Sequence, residues 1–255
     1  MRTVLVGLLL LTAACHRPSR QFSSMLTPVN QPDDYTRNLK AGDEVVAVGT
    51  DPAWTLLINP SKKTLRFKSQ TGDSLTTTAP DRQDDSDGIF RYKAEINGNS
   101  LTLLFRPDSC VDKLSEQRYD YRVEADYKGK SYVGCGVSLR QLTLLQDDWV
   151  LTELQGQPVA AGARGELPRL EISLTEGRVT GTTGCNRLNG PVKADTRQIQ
   201  FGSLSTTRIA CLGELGQLES KFLSELSKPL AYRVGDNKLT LLRDDKPIMT
   251  FKKVD

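Results

Sequence analysis

Few stretches of this 255-residue chain carry side chains that could do chemistry, and the richest is VTGTTGCNRLNG, Val179 to Gly190, with its echo TTRIAC, Thr206 to Cys211. Gly181, Gly184 and Gly190 permit tight turns and positive φ, Asn186 and Asn189 suit the same turns, and Cys185 has a partner available in Cys211. Together they read as a stapled corner between strands. Asn186, Thr206 and Thr207 are its candidate ligand-contact residues, because a side-chain amide or hydroxyl can hold a ligand. The competing structural reading is that they bond local backbone, which is the commoner use of such residues in turns.

Other candidates fall away on their chemistry. The acidic run Asp81 to Gly88 invites a calcium loop, but placing Asp85, Asp87 and Gly88 at positions 3, 5 and 6 puts Gln83 at position 1 and Ala94 where the bidentate Glu belongs. It reads as a solvated loop. Asp112 and Ser115 lie beside Cys110 with no histidine or paired base near them in sequence, so a turn-forming role is expected. Serine and thiol nucleophiles need a base, and the single histidine, His16, sits outside the candidate globular segments. One histidine and no CxxC spacing leave no zinc set. The chain is read as non-enzymatic, with no catalytic residue, metal or cofactor assigned; a glycosidase pair of carboxylates is the one enzyme chemistry that sequence distance leaves open.

The elements that must position these residues begin with an address. Arg2, the apolar Val4 to Leu11 and the small residues Thr12-Ala13-Ala14 before Cys15 form a signal and cleavage site, too short for a bilayer span of about 20 residues. The site resembles the bacterial lipobox, with Leu11 one step earlier than usual, which implies acylation at Cys15. His16 after the cysteine points to the outer membrane, facing the periplasm. The expected organisation is a lipoprotein signal over 1–15, a flexible tether rich in Pro, Ser, Gln and Asn over 16–42, and two globular units over 43–141 and 142–255. A formal charge of +3, without a cationic patch interleaved with aromatics, gives no reason to expect nucleic acid. With Cys15 acylated, four cysteines remain, which allow three pairings. In an oxidising compartment their two separate groups favour Cys110 with Cys135 and Cys185 with Cys211, each closing a loop of about 25 residues worth about 3 kcal/mol in the chain-entropy picture.

Residues 43–141 read as antiparallel β. Strands are expected at 44–49, 54–59, 64–69, 90–96, 100–106, 118–127 and 131–139, with Asn97-Gly98-Asn99 and Lys128-Gly129 as hairpin turns. A small barrel or sandwich would bury their alternating faces. The phrases GTDPAWTLLI and CVDKLSEQRYDYRVEADYKGKSYVGCG resemble an uncharacterised domain of bacterial exported proteins through Pro52, Trp54, Cys110, Asp112, Ser115, Tyr119, Gly134 and Cys135. Ala53 and Lys113-Leu114 depart from its pattern, and it carries no activity to transfer.

Residues 142–255 read as strands at 149–154, 169–174 and 178–183, the Cys-Asn corner, a strand at 198–202, the Thr-Thr to Ala-Cys segment, one helix and three closing strands at 230–234, 238–243 and 248–253. Leu215, Leu218, Phe222 and Leu226 give the helix an apolar stripe opposite Glu214, Lys221 and Glu225, and Pro229 stops it. Trp149 on the opening strand is expected in the core. Trp149-x-Leu151, Gly184-Cys185-Asn186, Thr206-Thr207, Ala210-Cys211, Glu219-x-x-Phe222 and Leu239-x-Leu241, in this order over about 105 residues, resemble the META domain (HslJ-like) family. The resemblance implies a lipocalin-like β-barrel closed by a helix, in an envelope setting linked with stress and drug tolerance, with no catalytic residues known. The fold expected is therefore mainly β: two small antiparallel barrel-like domains, the second closed by one α-helix. Two functional classes follow. The first is a structural or interaction role in the envelope, with the membrane and an envelope protein as partners. The alternative is a module that holds a small apolar ligand or a periplasmic hydrolase; a filled barrel favours the former and an apolar cavity the latter.

Overall fold

Alternation of apolar and polar residues sets the architecture, and it divides the chain between two antiparallel sheets. The computed structural model describes residues 32–161 and 166–254; the signal, the acylation site at Cys15 and residues 16–31 of the expected tether lie outside them. The first sheet is built from β1 (Val45–Thr50), β2 (Ala53–Asn59), β3 (Thr64–Ser69), β4 (Ser74–Thr78), β5 (Gln83–Asp84), β6 (Phe90–Ile96), β7 (Asn99–Val111), β8 (Arg118–Tyr127) and β9 (Lys130–Ser138). Its order is β4-β3-β2-β1-β9-β8-β7-β6-β5, with no pairing between β4 and β5 among the described residues, so the sheet is open. Asn97-Gly98 and Lys128-Gly129 make its hairpins with φ of 51° and 76°, and 52° and 70°, the paired positive values a type I′ turn requires.

Trp54 explains the phrase around it. Its indole is 2% exposed and Nε1 donates to Val133 O at 3.2 Å. A Cβ at Gly49 would lie 2.0 Å from Nε1, and one at Gly134 would lie 2.0 Å from Val48 O and 2.8 Å from the indole Cζ2. The two glycines are the floor on which the ring lies. The Asp51-Pro52 peptide before it is cis.

The second sheet is built from β10 (Asp148–Leu154), β11 (Gln157–Pro158), β12 (Arg169–Ser173), β13 (Arg178–Thr182), β14 (Arg187–Ala194), β15 (Gln198–Phe201), β16 (Ser205–Thr206), β17 (Leu230–Gly235), β18 (Lys238–Arg243) and β19 (Lys246–Lys253). The path β10-β12-β13-β14-β15-β17-β18-β19 closes on itself because β19 pairs back with β10, Leu151 opposite Phe251. This is an eight-stranded antiparallel barrel. Its interior is filled: Trp149, Leu151, Leu170, Val179, Ile199, Phe222, Leu239, Leu241 and Phe251 are all at most 1% exposed. Phe222 and Leu226 come from the helix α3 (Glu214–Leu226), which closes the barrel as expected.

Several elements were not legible in the sequence. Strands β4, β5 and β14 were absent from the expected set, and β14 carries Gly190 and Pro191. Pro191 is tolerated because it falls in a gap on one edge of the strand: β13 runs along the other edge, while Leu188 and Asn189 pair with β16 and Val192 onward with β15, so the missing N–H lies between the two. The end of the expected flexible tether is also structured. Helix α1 (Thr36–Ala41) ends on Gly42 in the left-handed region at φ 82°, and Tyr35 is 4% exposed. Burial of Tyr35 and the contacts of Asp33 with Asp195 and Arg197 anchor this stretch where proline and polar content alone had suggested a linker.

The two sheets share a buried seam. Tyr35, Cys110, Tyr119, Cys135, Val137 and Leu139 belong to the same apolar cluster as Leu142 and Leu145 of helix α2 (Arg140–Leu145) and the barrel core. Polar contacts accompany it. Asp33 N donates to the buried Asp195 at 3.1 Å, Arg197 Nη2 pairs with Asp33 at 2.9 Å and with Asp195 at 3.1 Å, and Thr196 donates to Asp120. Burial pushes the Asp33 carboxyl above its ordinary range, outweighing the Arg197 guanidinium. Tyr119 is pushed up to about 12, mainly by burial.

Candidate functional site

The stapled corner is present, and the side chains of Asn186, Thr183, Thr207 and Glu219 there are engaged with one another and with local backbone. Strand β13 ends at Thr182, and the turn Thr183-Gly184-Cys185 carries the chain into β14; Gly184 takes φ 86°, as expected for a turn glycine. Cys185 and Cys211 are joined as a disulfide, with Cα atoms 6.2 Å apart. Asn186 between them is 3% exposed. Its Oδ1 accepts from Ile209 N and from Thr207 Oγ1, both at 2.8 Å, while Nδ2 donates to Ile209 O at 3.1 Å. The side-chain amide therefore pairs with the backbone of Ile209 as a neighbouring strand would. Nδ2 also donates to the two Glu219 oxygens at 3.0 and 3.2 Å.

Thr183 completes the arrangement. Its hydroxyl donates to Glu219 Oε1 at 2.8 Å and accepts from Asn186 N at 2.9 Å. Thr207 Oγ1 accepts from Arg187 N at 3.1 Å. Thr206 contributes through its backbone, paired opposite Leu188. Sequence reasoning named Asn186, Thr206 and Thr207 but did not assign Glu219 or Thr183 to the corner. The available signal was helical spacing: Glu219 lies three residues before the buried Phe222 and so projects from the same face of α3.

Cys185, Cys211 and Glu219 bring one potential ligand atom each within 4.8 Å. The sulfurs are bonded to each other, so neither offers the thiolate that a metal requires. The other candidates are equally engaged. Asp112 accepts from Ser115 N at 2.8 Å and Ser115 Oγ at 2.7 Å, the turn role expected of it. In the acidic run Arg82 pairs with Asp84 at 2.7 Å and Arg91 pairs with Asp85. Cys110 and Cys135 form the second disulfide. Trp149 is 1% exposed and donates from Nε1 to Leu145 O at 3.0 Å.

Two surface features lie beside the corner. The segment from Thr207 to Gly213 is held by Asn186 and the disulfide, yet Ile209 is 45% and Leu212 85% exposed. Next to it, a groove of about 450 Å³ runs between α3 and the end of β10 with β11, its apolar walls formed by Leu154, Pro158, Val159, Leu215 and Leu218. Beneath the helix, Glu225 faces inward where the sequence pattern had placed it outward. Burial alone would raise its carboxyl, but Arg243 and Gln155, the latter donating at 2.9 Å, hold it below the usual range.

The class that this architecture defines is an antiparallel β protein with a closed barrel capped by one helix. Residues 141–255 match the META domain family model. Two NMR structures are similar to the chain over 44% of its length. One is 23% identical, with 93% of that chain covered and a TM-score of 0.37. The other, from Burkholderia xenovorans, is 27% identical, with 86% covered and a TM-score of 0.36. No curated protein matches the chain.

Proposed function

We propose that this protein is a lipid-anchored, non-enzymatic envelope protein whose META domain serves a structural or interaction role connected with stress or drug tolerance. The observation that carries this reading is the filled barrel. Its interior is occupied by Trp149, Phe222, Phe251 and their neighbours, so the barrel mouth is stoppered by side chains where a ligand-carrying barrel would keep a cavity. The polar corner supports the same reading, since Asn186, Thr183, Thr207 and Glu219 satisfy one another. The anchor is proposed at Cys15, with the outer membrane as the site and an envelope protein as partner.

The groove along α3 favours a second reading, a module that holds a small apolar ligand on the outside of the barrel. Mass spectrometry of the protein purified from its own envelope fraction separates the two. The proposal expects an acyl mass on Cys15, a polypeptide four hydrogens short from its two disulfides, and no retained small molecule under native conditions. A reproducible extra mass that survives desalting supports the second reading. An unmodified Cys15 contradicts the anchor.

A further inference from the structure

One group of side chains has the donors of a metal site, masked by a single bond. Sγ of Cys185, Sγ of Cys211 and a carboxylate oxygen of Glu219 all lie within 4.8 Å of one another, and all three residues are half-buried. They come from the turn after β13, the loop before α3 and α3 itself. The cysteines are 26 residues apart in sequence, so no ligand spacing announces them. Joined as a disulfide, the sulfurs offer a cation no thiolate. Opened, they supply two thiolates beside a carboxylate, a donor set that suits zinc.

The three donors are held close by contacts other than the S–S bond. The Asn186 amide grips Ile209 by its N–H and its carbonyl. The first turn of α3 rests on the Cys211 backbone, where a Cβ on Gly216 would come 2.4 Å from Cys211 O. The Thr183 hydroxyl donates to Glu219 at 2.8 Å. Asn186 Nδ2 reaches Cys211 Sγ at 3.1 Å and the Glu219 oxygens at 3.0 and 3.2 Å. One buried amide thus orients two of the three donors, as outer hydrogen bonds do around metal sites. We propose that the corner is a thiol-gated zinc site: a dithiol opens the Cys185–Cys211 bond, and the two cysteines with Glu219 then bind one Zn²⁺, water taking the fourth tetrahedral position. In the exchange the S–S bond breaks and the dithiol leaves as its own disulfide, having supplied two electrons and two protons. Those protons go to the two cysteine sulfurs and are released when zinc takes the thiolates. Cys110 and Cys135, 8% and 5% exposed, are shielded from the same exchange, so the corner opens first. The inference is independent of the anchor and of the role proposed above.

The test takes the chain from His16 onward, which keeps every described residue and omits Cys15. The protein is treated with a dithiol, freed of it without air, and titrated with Zn²⁺, and separately with Co²⁺ for its thiolate absorption band. The expected result is alkylation at Cys185 and Cys211 before the buried pair, and one Zn²⁺ bound per chain with about two protons released. Zinc should then protect both cysteines from alkylation. Cys211→Ser should abolish the cobalt–thiolate band of a two-sulfur site. Glu219→Gln keeps an acceptor for Thr183 and should weaken zinc binding by about tenfold to a hundredfold, with thermal unfolding of the oxidised form little changed. No zinc uptake by the reduced protein, equal uptake by the oxidised one, or native affinity in Glu219→Gln would overturn the proposal.

Discussion

The two disulfides close loops of nearly the same length, with sequence separations of 25 and 26, yet they do different things. Cys110 and Cys135 are 8% and 5% exposed and lie in the apolar cluster that joins the open sheet to the barrel. They tie β7 to β9 across β8, at a seam the hydrophobic effect already holds. Cys185 and Cys211 are half-buried at the barrel's end and fasten a loop whose side chains face water. The first staple belongs to the core. The second, with Asn186, holds a surface in shape, so the same bond serves stability in one place and presentation in the other.

Removing each staple sharpens that contrast. Replacing Cys110 and Cys135 together by Ala should cost about 3–5 kcal/mol, the chain-entropy contribution plus lost packing at the seam. Urea denaturation should show both sheets weakened. The matching change at Cys185 and Cys211 should cost about 2–3 kcal/mol and loosen mainly residues 207–213, since the Asn186 amide remains. Glycine substitutions come next. Gly134→Ala in the open sheet and Gly181→Ala in the barrel would put a Cβ 2.0 Å from Val48 O and 1.9 Å from Arg169 O. Each should lose about 1–3 kcal/mol by the same measurement.

Asn186→Ala removes hydrogen bonds to Ile209, Thr207 and Glu219 and should cost about 2 kcal/mol in urea denaturation, less than either staple. A further effect concerns alkaline pH. Burial raises Tyr92 in the open sheet and Tyr119 at the seam to about 12. Their folded values lie above the ordinary tyrosine value of 10.0, so the stability they contribute is complete below pH 10 and is lost as pH rises through about 12. Phenolate absorbance should show these two tyrosines ionising well above pH 10, together with unfolding; burial raises Tyr35 and Tyr232 as well.

How much of this was legible depended on the signal each element carried. Most strands with strict alternation were read within a residue or two, β8 to both ends, because burial of one face imposes period two; β7 runs five residues past its expected end, to Val111. The I′ turns at Asn97-Gly98 and Lys128-Gly129 were read from composition, since few residues accept positive φ twice in succession. What escaped had its cause elsewhere in the chain. β14 contains a glycine and a proline that fall in the gap between its pairings with β16 and with β15. The stretch 32–42 is polar and proline-containing, and its order comes from Tyr35 in the seam and from Asp33 on Asp195 and Arg197. Glu225 was placed outward by the helical pattern, but Arg243 on β18 and Gln155 after β10 draw it in.

The corner was half legible. Cys185, Cys211, Asn186 and Thr207 stood out by type and spacing, and the structure brings all four together. Thr183 looked like one more turn residue, and Glu219 like one more helix carboxylate. Their roles arise from the way α3 packs over the corner, a long-range contact that local pattern does not encode.

Amide hydrogen exchange at Ile209 tests most directly the claim that Asn186 is a strap for the loop. With the Cys185–Cys211 bond intact in both proteins, the Ile209 N–H should exchange slowly in the native chain. In Asn186→Ala it should exchange quickly while β13 and β14 keep their protection. Fast exchange in the native chain, or slow exchange unchanged by the substitution, would contradict the account.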